Sequence, residues 1–469
     1  MTTIGTAALW QPGGWSGPVA LDLADGRIRR SQALEPAAAT NASWLLPGIP
    51  NLHSHAFQRA MAGFAERRSA GQGNDSFWTW RETMYAFAAR MTPETLYAVA
   101  CQLYVEMLEA GYTWVCEFHY LHHQADGRAY DDPAAMSKAL IAAAADTGIG
   151  LTLLPVLYMS AGFDGSPLAP RQRRFGHDLE AYLRLLSSLQ GLQCDRLRLG
   201  AALHSLRAVP PQALSGLMES EVCDEMPIHI HIAEQPAEVA ECLAVRGARP
   251  VQWLLENAPV DERWCLVHAT HMTEAETRAV AASSATVAIC PTTEANLGDG
   301  VFSLPDYLAA GGAWGIGSDS HISVSPVEEL RWLEYGQRLT SGQRAVAASA
   351  GTPSVGETLL AGALHGGRAC GAAVGLASMP MQGRSDQPAA GQDLAGIRAD
   401  LVALDGQAPI LAGHGRESLI DAWLFSGNRN LVDRVWTDGR ERVNAGRHHR
   451  REPVADAYRR ALKDLLAGS

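Results

Sequence analysis

The sequence predicts an α/β fold, a (β/α)8 barrel of the TIM type carrying a small β-sandwich domain built from both chain ends. Three observations lead there. Between positions 47 and 377, about eight short apolar runs alternate with stretches of helical periodicity. Nearly every run carries a His, Asp, Glu or Tyr at its C-terminal end, the face on which such barrels place their chemistry. The two chain ends, unlike the middle, are rich in short strands and turn residues.

A chain of 469 residues can bury a large core and one smaller domain beside it. With 47% hydrophobic and 19% charged residues, it has the composition of an ordinary soluble globular protein. A net charge of -12 argues against nucleic acid or an anionic membrane surface as partner. An anionic substrate would therefore need arginines of its own inside the site. The 8 cysteines form no C-x-x-C pair and several lie in apolar runs, so reduced core thiols are expected rather than disulfides. The segment Met1-Thr2-Thr3-Ile4-Gly5 lacks the basic-then-apolar pattern of a signal peptide, and no apolar run approaches a membrane span. A cytoplasmic location is the expectation.

Taken in order, residues 21–28 read as a hairpin bent at Asp25-Gly26, and residues 399–405 and 435–440 are similar short strands far along the chain. The expected small domain takes 1–46 and 391–446, and the metal-dependent barrel takes 47–377. A polar loop with Pro and Gly, 378–390, links them, and 447–469 forms a C-terminal helical tail. The barrel strands are expected to end at His53-Ser54-His55, at residues 116–120, at 155–158, and at His204 after 197–203. The remaining four run 228–231, 264–268, 286–290 and 313–319. Residues 95–110 and the Ala-rich run before Gly148 have helical spacing.

The chemistry begins with His53 and His55. In an extended chain, residues i and i+2 share a face, so the two imidazoles can stand side by side as a divalent metal requires. In Ile228-His229-Ile230-His231-Ile232-Ala233-Glu234, His231 lies nearer the strand end and is the candidate third ligand. His229 faces the same way one layer deeper, either bracing the ligands or as a satisfied core histidine. Glu234 suits a proton shuttle. His268 ends strand six, whereas His271 reads as exposed. Asp319 ends strand eight and can complete the metal site or accept a proton from water. Nitrogen and carboxylate donors without thiolate suit Zn²⁺ and also accept Fe²⁺ or Mn²⁺. Strand four offers Arg198, His204 and Arg207 but no lysine that could bridge two ions, so one metal is expected.

The order His53-x-His55, His231, His268, Asp319 resembles the amidohydrolase superfamily, in its single-metal aminohydrolase branch with His-x-Ala-Glu after strand five. Segments 53–60, 77–81, 117–123 and 290–298 are more specific and are similar to the formimidoylglutamate deiminases, the iminohydrolases of histidine degradation. The resemblance implies that His53, His55, His231 and Asp319 hold the metal, that Glu234 moves protons, and that His268 helps polarise or deprotonate the water. It implies a small dicarboxylate substrate, N-formimino-L-glutamate, hydrolysed to N-formyl-L-glutamate and ammonia by a homodimer. Arg207 and Arg81 would pair with the carboxylates, and Tyr120, His204 and Gln58 would add hydrogen bonds. Arg81 is expected on a loop, with Arg59, Arg67 and Arg68 as nearby competitors. Glu294 and Asn296 match the fourth segment without an assigned role. Three other readings stand beside this one. A deaminase of a heteroaromatic amine such as guanine or cytosine would leave the arginines without a task. A catalytically dead scaffold would predict a broken ligand set. An amide hydrolase of the dihydroorotase type would want the missing lysine.

Overall fold

The computed structural model describes residues 2–11, 14–35, 40–66, 77–379 and 394–467. Most of the expected linker, from 380 to 390, lies outside them, as do Arg67 and Arg68.

Eight parallel strand positions form the barrel sheet, each hydrogen-bonded to the next in chain order. They are Ile49–Ser54, Tyr112–His119, Gly150–Leu157, a fourth in two pieces, Ile228–Ile232, Trp264–His268, Thr286–Ile289 and Ala313–Ile316. Every residue of the first, second and third strands is buried, and the third reads accordingly as a near-continuous apolar run rather than an alternating one. The sheet closes between its first and eighth members, where His55 N donates to Asp319 O at 3.1 Å and Asp319 N to His53 O at 3.0 Å. Three expected metal ligands thus supply the backbone of the seam.

The fourth strand departs from expectation. It breaks at Gly200 into Leu197–Leu199 and Ala201–Ser205. A Cβ at Gly200 would come within 2.6 Å of Leu154 Cδ2 and 2.8 Å of Pro227 O, so the chain passes between its neighbours only as glycine. The eighth strand is also shorter than expected and stops at Ile316. Gly317 then lets the chain turn beside His53, whose Cβ lies 2.6 Å from where a Cβ of residue 317 would be.

Helix Pro93–Ala110 illustrates the outer layer. Thr92 and Thr95 cap each other's backbone amides, Pro93 supplies a preset φ at the first position, and Gly111 ends the helix at φ 102°. Its buried face includes Leu96, Val99, Ala100, Leu103 and Met107. The C-terminal helix Arg451–Leu466 packs against it, and Arg451 pairs with Glu109 at 3.0 Å.

The chain ends meet in a second sheet of nine strands, antiparallel except where Thr2–Gln11 runs parallel to Ala42–Pro47. The Asp25-Gly26 turn and the Asp438-Gly439 turn both close hairpins there. A separate small core under this sheet contains Ile4, Leu9, Leu21, Leu23, Ile28, Leu45, Leu401 and Trp436. Backbone bonds join its two parts: Ile28 N donates to Ile397 O at 2.8 Å and Ala399 N to Gly26 O at 2.9 Å. No helix among the described residues is long and apolar enough to cross a membrane.

Several histidines serve the interior rather than the site. Burial pushes His119 down to about 3, and His177 and His448 down to about 4. Each is neutral when folded and gains a proton near 6.5 when unfolded, so between those values the unfolded chain binds more protons. The stability they contribute is complete above about 6.5 and is lost as the pH falls toward about 4. The urea midpoint should therefore fall less from pH 7 to pH 5 in His119→Gln than in the parent, and an equal fall in both would show that this ring already titrates in the folded state.

Candidate active site

Three strand ends bring His53, His55, His231 and Asp319 together. His53 Nε2 lies 3.1 Å from His55 Nε2 and 2.9 Å from His231 Nε2, while Asp319 Oδ1 is 3.4 Å from His53 Nε2 and 3.3 Å from His55 Nε2. Backbone carbonyls orient two of the rings. His55 Nδ1 donates to Phe118 O at 2.8 Å and His231 Nδ1 to His204 O at 2.9 Å, which leaves both Nε2 lone pairs aimed inward. A proton on His53 Nε2 could satisfy only one of them. A divalent cation satisfies all of them, since ligand atoms about 2.0–2.1 Å from a shared zinc lie about 3–3.4 Å apart. The donor set and its spacing fit a metal. Burial, then the neighbouring rings, hold His53 and His55 well below the usual imidazole range, so they present lone pairs rather than protons.

Backbone strain concentrates here. Of ten non-glycine residues with positive φ among those described, five surround this cluster: Ala233, His268, Ala269, Asp319 and His321. Such conformations persist where the surrounding structure holds them in place. The support is visible: Asn51 Nδ2 donates to Ser318 Oγ at 2.6 Å, and His321 Nδ1 lies 3.0 Å from the same oxygen. Ser54 Oγ donates to Glu117 Oε2 at 2.5 Å, and Ala56 N to Glu117 Oε1 at 2.6 Å. Burial raises Glu117 to about 8 against the pull of these donors.

Beside the cluster stand Glu234 and His268. His268 Nε2 is 3.7 Å from Glu234 Oε1 and 3.8 Å from Asp319 Oδ2, and its Nδ1 is 3.2 Å from Glu294 Oε1. Burial raises Glu234 to about 7, against the pull of the His268 charge. Burial works against a charged His268, but Glu234, the Glu294 hydrogen bond and Asp319 outweigh it and raise it to about 10. Glu238 accepts from both Ala233 N (3.1 Å) and Glu234 N (3.0 Å), clamping the turn that carries Glu234.

A cavity of about 140 Å³ opens above these groups. Gln58, Arg81, Tyr120, His204 and Arg207 all line it with His55, His231, Glu234, His268 and Asp319, while His53 is buried behind them. Gln58 Nε2 donates to Tyr120 OH at 2.8 Å. Arg207 donates to Ala161 O at 2.8 Å and hydrogen-bonds Tyr158, and Arg81 donates to Tyr85 OH at 2.8 Å. Arg81 lies on helix Phe77–Ala88 and not on a loop, because that stretch packs its Met84 and Tyr85 against the barrel end. Its competitor Arg59 is engaged by Glu106 (2.7 Å) and His321 O (2.9 Å).

Other expectations resolve differently. His229 is fully buried and its Nε2 is bound by Ala369 O at 2.9 Å, apart from the ligand cluster. His271 is half-buried rather than exposed, with its Nε2 2.8 Å from Asp299 O. Asn296 turns away to Glu66 at 2.8 Å. Sequence reasoning passed over Glu238, His321, Asn51, Tyr85 and Tyr158. Local signals existed for two of them, the strand-end place of Tyr158 and the Asp-x-His spacing of Asp319 and His321.

Residues 44–372 match the model of the Amidohydrolase family. The chain is 50% identical over 460 residues to the formimidoylglutamate deiminase of Pseudomonas aeruginosa, covering 97% of each chain. A crystal structure of an amidohydrolase from Brucella melitensis superposes with TM-score 0.89 at 43% identity, over 99% of this chain and 100% of that one. An adenosine deaminase from Xanthomonas campestris with bound zinc shares the fold at 19% identity and TM-score 0.76, over 99% and 98% of the chains. With the ligand cluster, the barrel and these relatives in view, the chain belongs to the amidohydrolase family, among its formimidoylglutamate deiminases.

Proposed function

We propose that the chain hydrolyses N-formimino-L-glutamate to N-formyl-L-glutamate and ammonia, as a step of histidine breakdown. One observation carries the reading: a single pocket holds both the histidine–aspartate cluster with Glu234 and two arginines, Arg81 and Arg207. In an acidic protein, guanidinium groups gathered in such a cavity favour an anionic substrate. The similarity to a protein named formimidoylglutamate deiminase supports the same substrate.

His53, His55, His231 and Asp319 would hold one divalent ion, with Zn²⁺ the best match to the donors. When bound, that ion supplies the Lewis acidity that lets water act as a nucleophile near neutral pH. Glu234 takes the proton as water adds to the formimino carbon and returns it to the nitrogen that leaves as ammonia. His268, held by Glu294, presents Nε2 beside Glu234 and Asp319 and steadies the water and the charge that builds up on its oxygen. Arg207 and Arg81 bind the two carboxylates, with Tyr120, His204 and Gln58 fixing the remainder of the chain. Tyr85 and Tyr158 hydrogen-bond the two arginines through their hydroxyls and so help to orient them.

The reading includes a cytoplasmic location, which free cysteines favour, and a homodimer, which sedimentation at micromolar concentration would test. Ammonia release from zinc-loaded protein with N-formimino-L-glutamate, beside N-formimino-L-aspartate, guanine and cytosine, tests the reaction. Turnover of the glutamate compound alone is expected, and turnover of guanine or cytosine instead would discard the substrate. Arg207→Ala should raise KM about tenfold to a hundredfold with little change in kcat, the size of a lost charge-assisted contact. An unchanged kcat/KM would remove Arg207 from substrate binding.

A further inference from the structure

Outside the reacting centre, the structure buries a guanidinium that the chemistry above leaves unused. Arg174 is 1% exposed and sits on the short turn Pro170–Phe175. Its hydrogen bonds go to backbone carbonyls: Nη1 donates to Ala88 O, and Nη2 to Met91 O at 3.0 Å and His123 O at 3.1 Å. His119, His122, His123 and His177 cluster beside it, and burial pushes all four down so that they stay neutral. A buried cation whose bonds all end on carbonyls is costly, so its placement needs a reason.

The reason lies in what those carbonyls belong to. Ala88 ends helix Phe77–Ala88, which has no basic residue in its last turn. Arg174 supplies that positive charge from outside, at the end where the helix dipole favours it. The same helix carries Trp80, Arg81, Met84 and Tyr85 to the pocket wall. On its other side, Arg174 O accepts from His122 N and His123 N, both at 3.0 Å, which fastens the segment just after Tyr120. The next residue, Phe175, stacks on Tyr85 at 6.0 Å and meets Tyr120 edge-on at 5.2 Å. One side chain and its backbone therefore tie together three pieces of the pocket wall.

We propose that Arg174 is a positioning residue for carboxylate recognition, holding helix Phe77–Ala88 so that Arg81 and Tyr85 face the substrate. The inference rests on the reading of Arg81 as a carboxylate partner. It makes the histidine-rich segment 119–123 part of a neutral socket for Arg174 and not a second metal site. Consistent with this, the two places among the described residues where three or more ligating atoms converge both lie elsewhere, at the Asp319 cluster and around His268.

The test uses full-length, metal-loaded enzyme carrying Arg174→Met, Arg174→Lys, Arg81→Ala and the Arg81→Ala/Arg174→Met pair. Arg174→Met should raise KM for N-formimino-L-glutamate about tenfold or more, with kcat within about twofold and metal content unchanged. Arg174→Lys, which keeps the charge but not the planar fork, should give a smaller rise. Added to Arg81→Ala, the Met substitution should raise KM no further. An unchanged KM in Arg174→Met beside a raised one in Arg81→Ala would overturn the positioning role alone. An unchanged KM in Arg81→Ala would overturn the carboxylate reading of Arg81, and this inference with it. Full additivity in the pair would also overturn it. Should Arg174→Met fail to fold, Arg174→Lys decides by the same two criteria, with Arg81→Ala/Arg174→Lys as the pair.

Discussion

Glu234→Gln is expected to lower kcat for ammonia release about a thousandfold or more while the protein keeps its bound metal. The amide has nearly the shape of the carboxylate but cannot accept the proton of the attacking water at neutral pH. Glu234 stands outside the ligand cluster, so the substitution removes no donor. Its backbone is held independently of its side chain, because Glu238 accepts from the amides of Ala233 and Glu234. The variant should therefore fold, bind metal and bind substrate with KM little changed. Elemental analysis and steady-state kinetics on the same preparation check this. Residual kcat within about tenfold of the parent would take proton transfer away from Glu234.

His231→Ala is expected to empty the metal site and abolish turnover. The ring contributes one of four converging donors and lies 2.9 Å from His53 Nε2. Changes one step further out, to groups that merely orient a ligand, already cost about tenfold to a hundredfold in metal affinity, and loss of the donor itself should exceed that. The strand should survive, since Ile228, Ile230 and Ile232 keep it in the barrel core. After dialysis against metal-free buffer, the variant should hold well under one ion per chain, and added Zn²⁺ should not restore activity. Full occupancy after dialysis would show that His231 is not a ligand.

These two expectations start from residues legible in the sequence, for a local reason. Alternation along a strand puts His53 and His55 on one face, and a polar residue ending an apolar run marks His231, His268 and Asp319. The helix over residues 95–110 was equally legible from its spacing, and the Thr92 cap sets its observed start at Pro93. Arg81 was named only through the resemblance, and its helix was not read. That helix packs Met84, Tyr85 and Phe87 on the barrel and meets Arg174 at its far end. The division of strand four at Gly200 was also hidden, since it arises from contact with Leu154 and Pro227, each distant in the chain.

By itself the sequence determined the barrel with its second, end-to-end sheet, the donor types of the cluster, and the acidic background that makes pocket arginines informative. Periodicity, turn residues and charge are local properties, and local properties survive reading one residue at a time. Only the tertiary structure decided that His53 and His231, 178 positions apart, meet at 2.9 Å, that Glu294 rather than Asn296 reaches His268, and that Arg174 clamps the helix bearing Arg81. Those pairings depend on barrel closure and on which carbonyls are left over at element ends. Both are set by the packing of the whole chain, and no short stretch of residues encodes them.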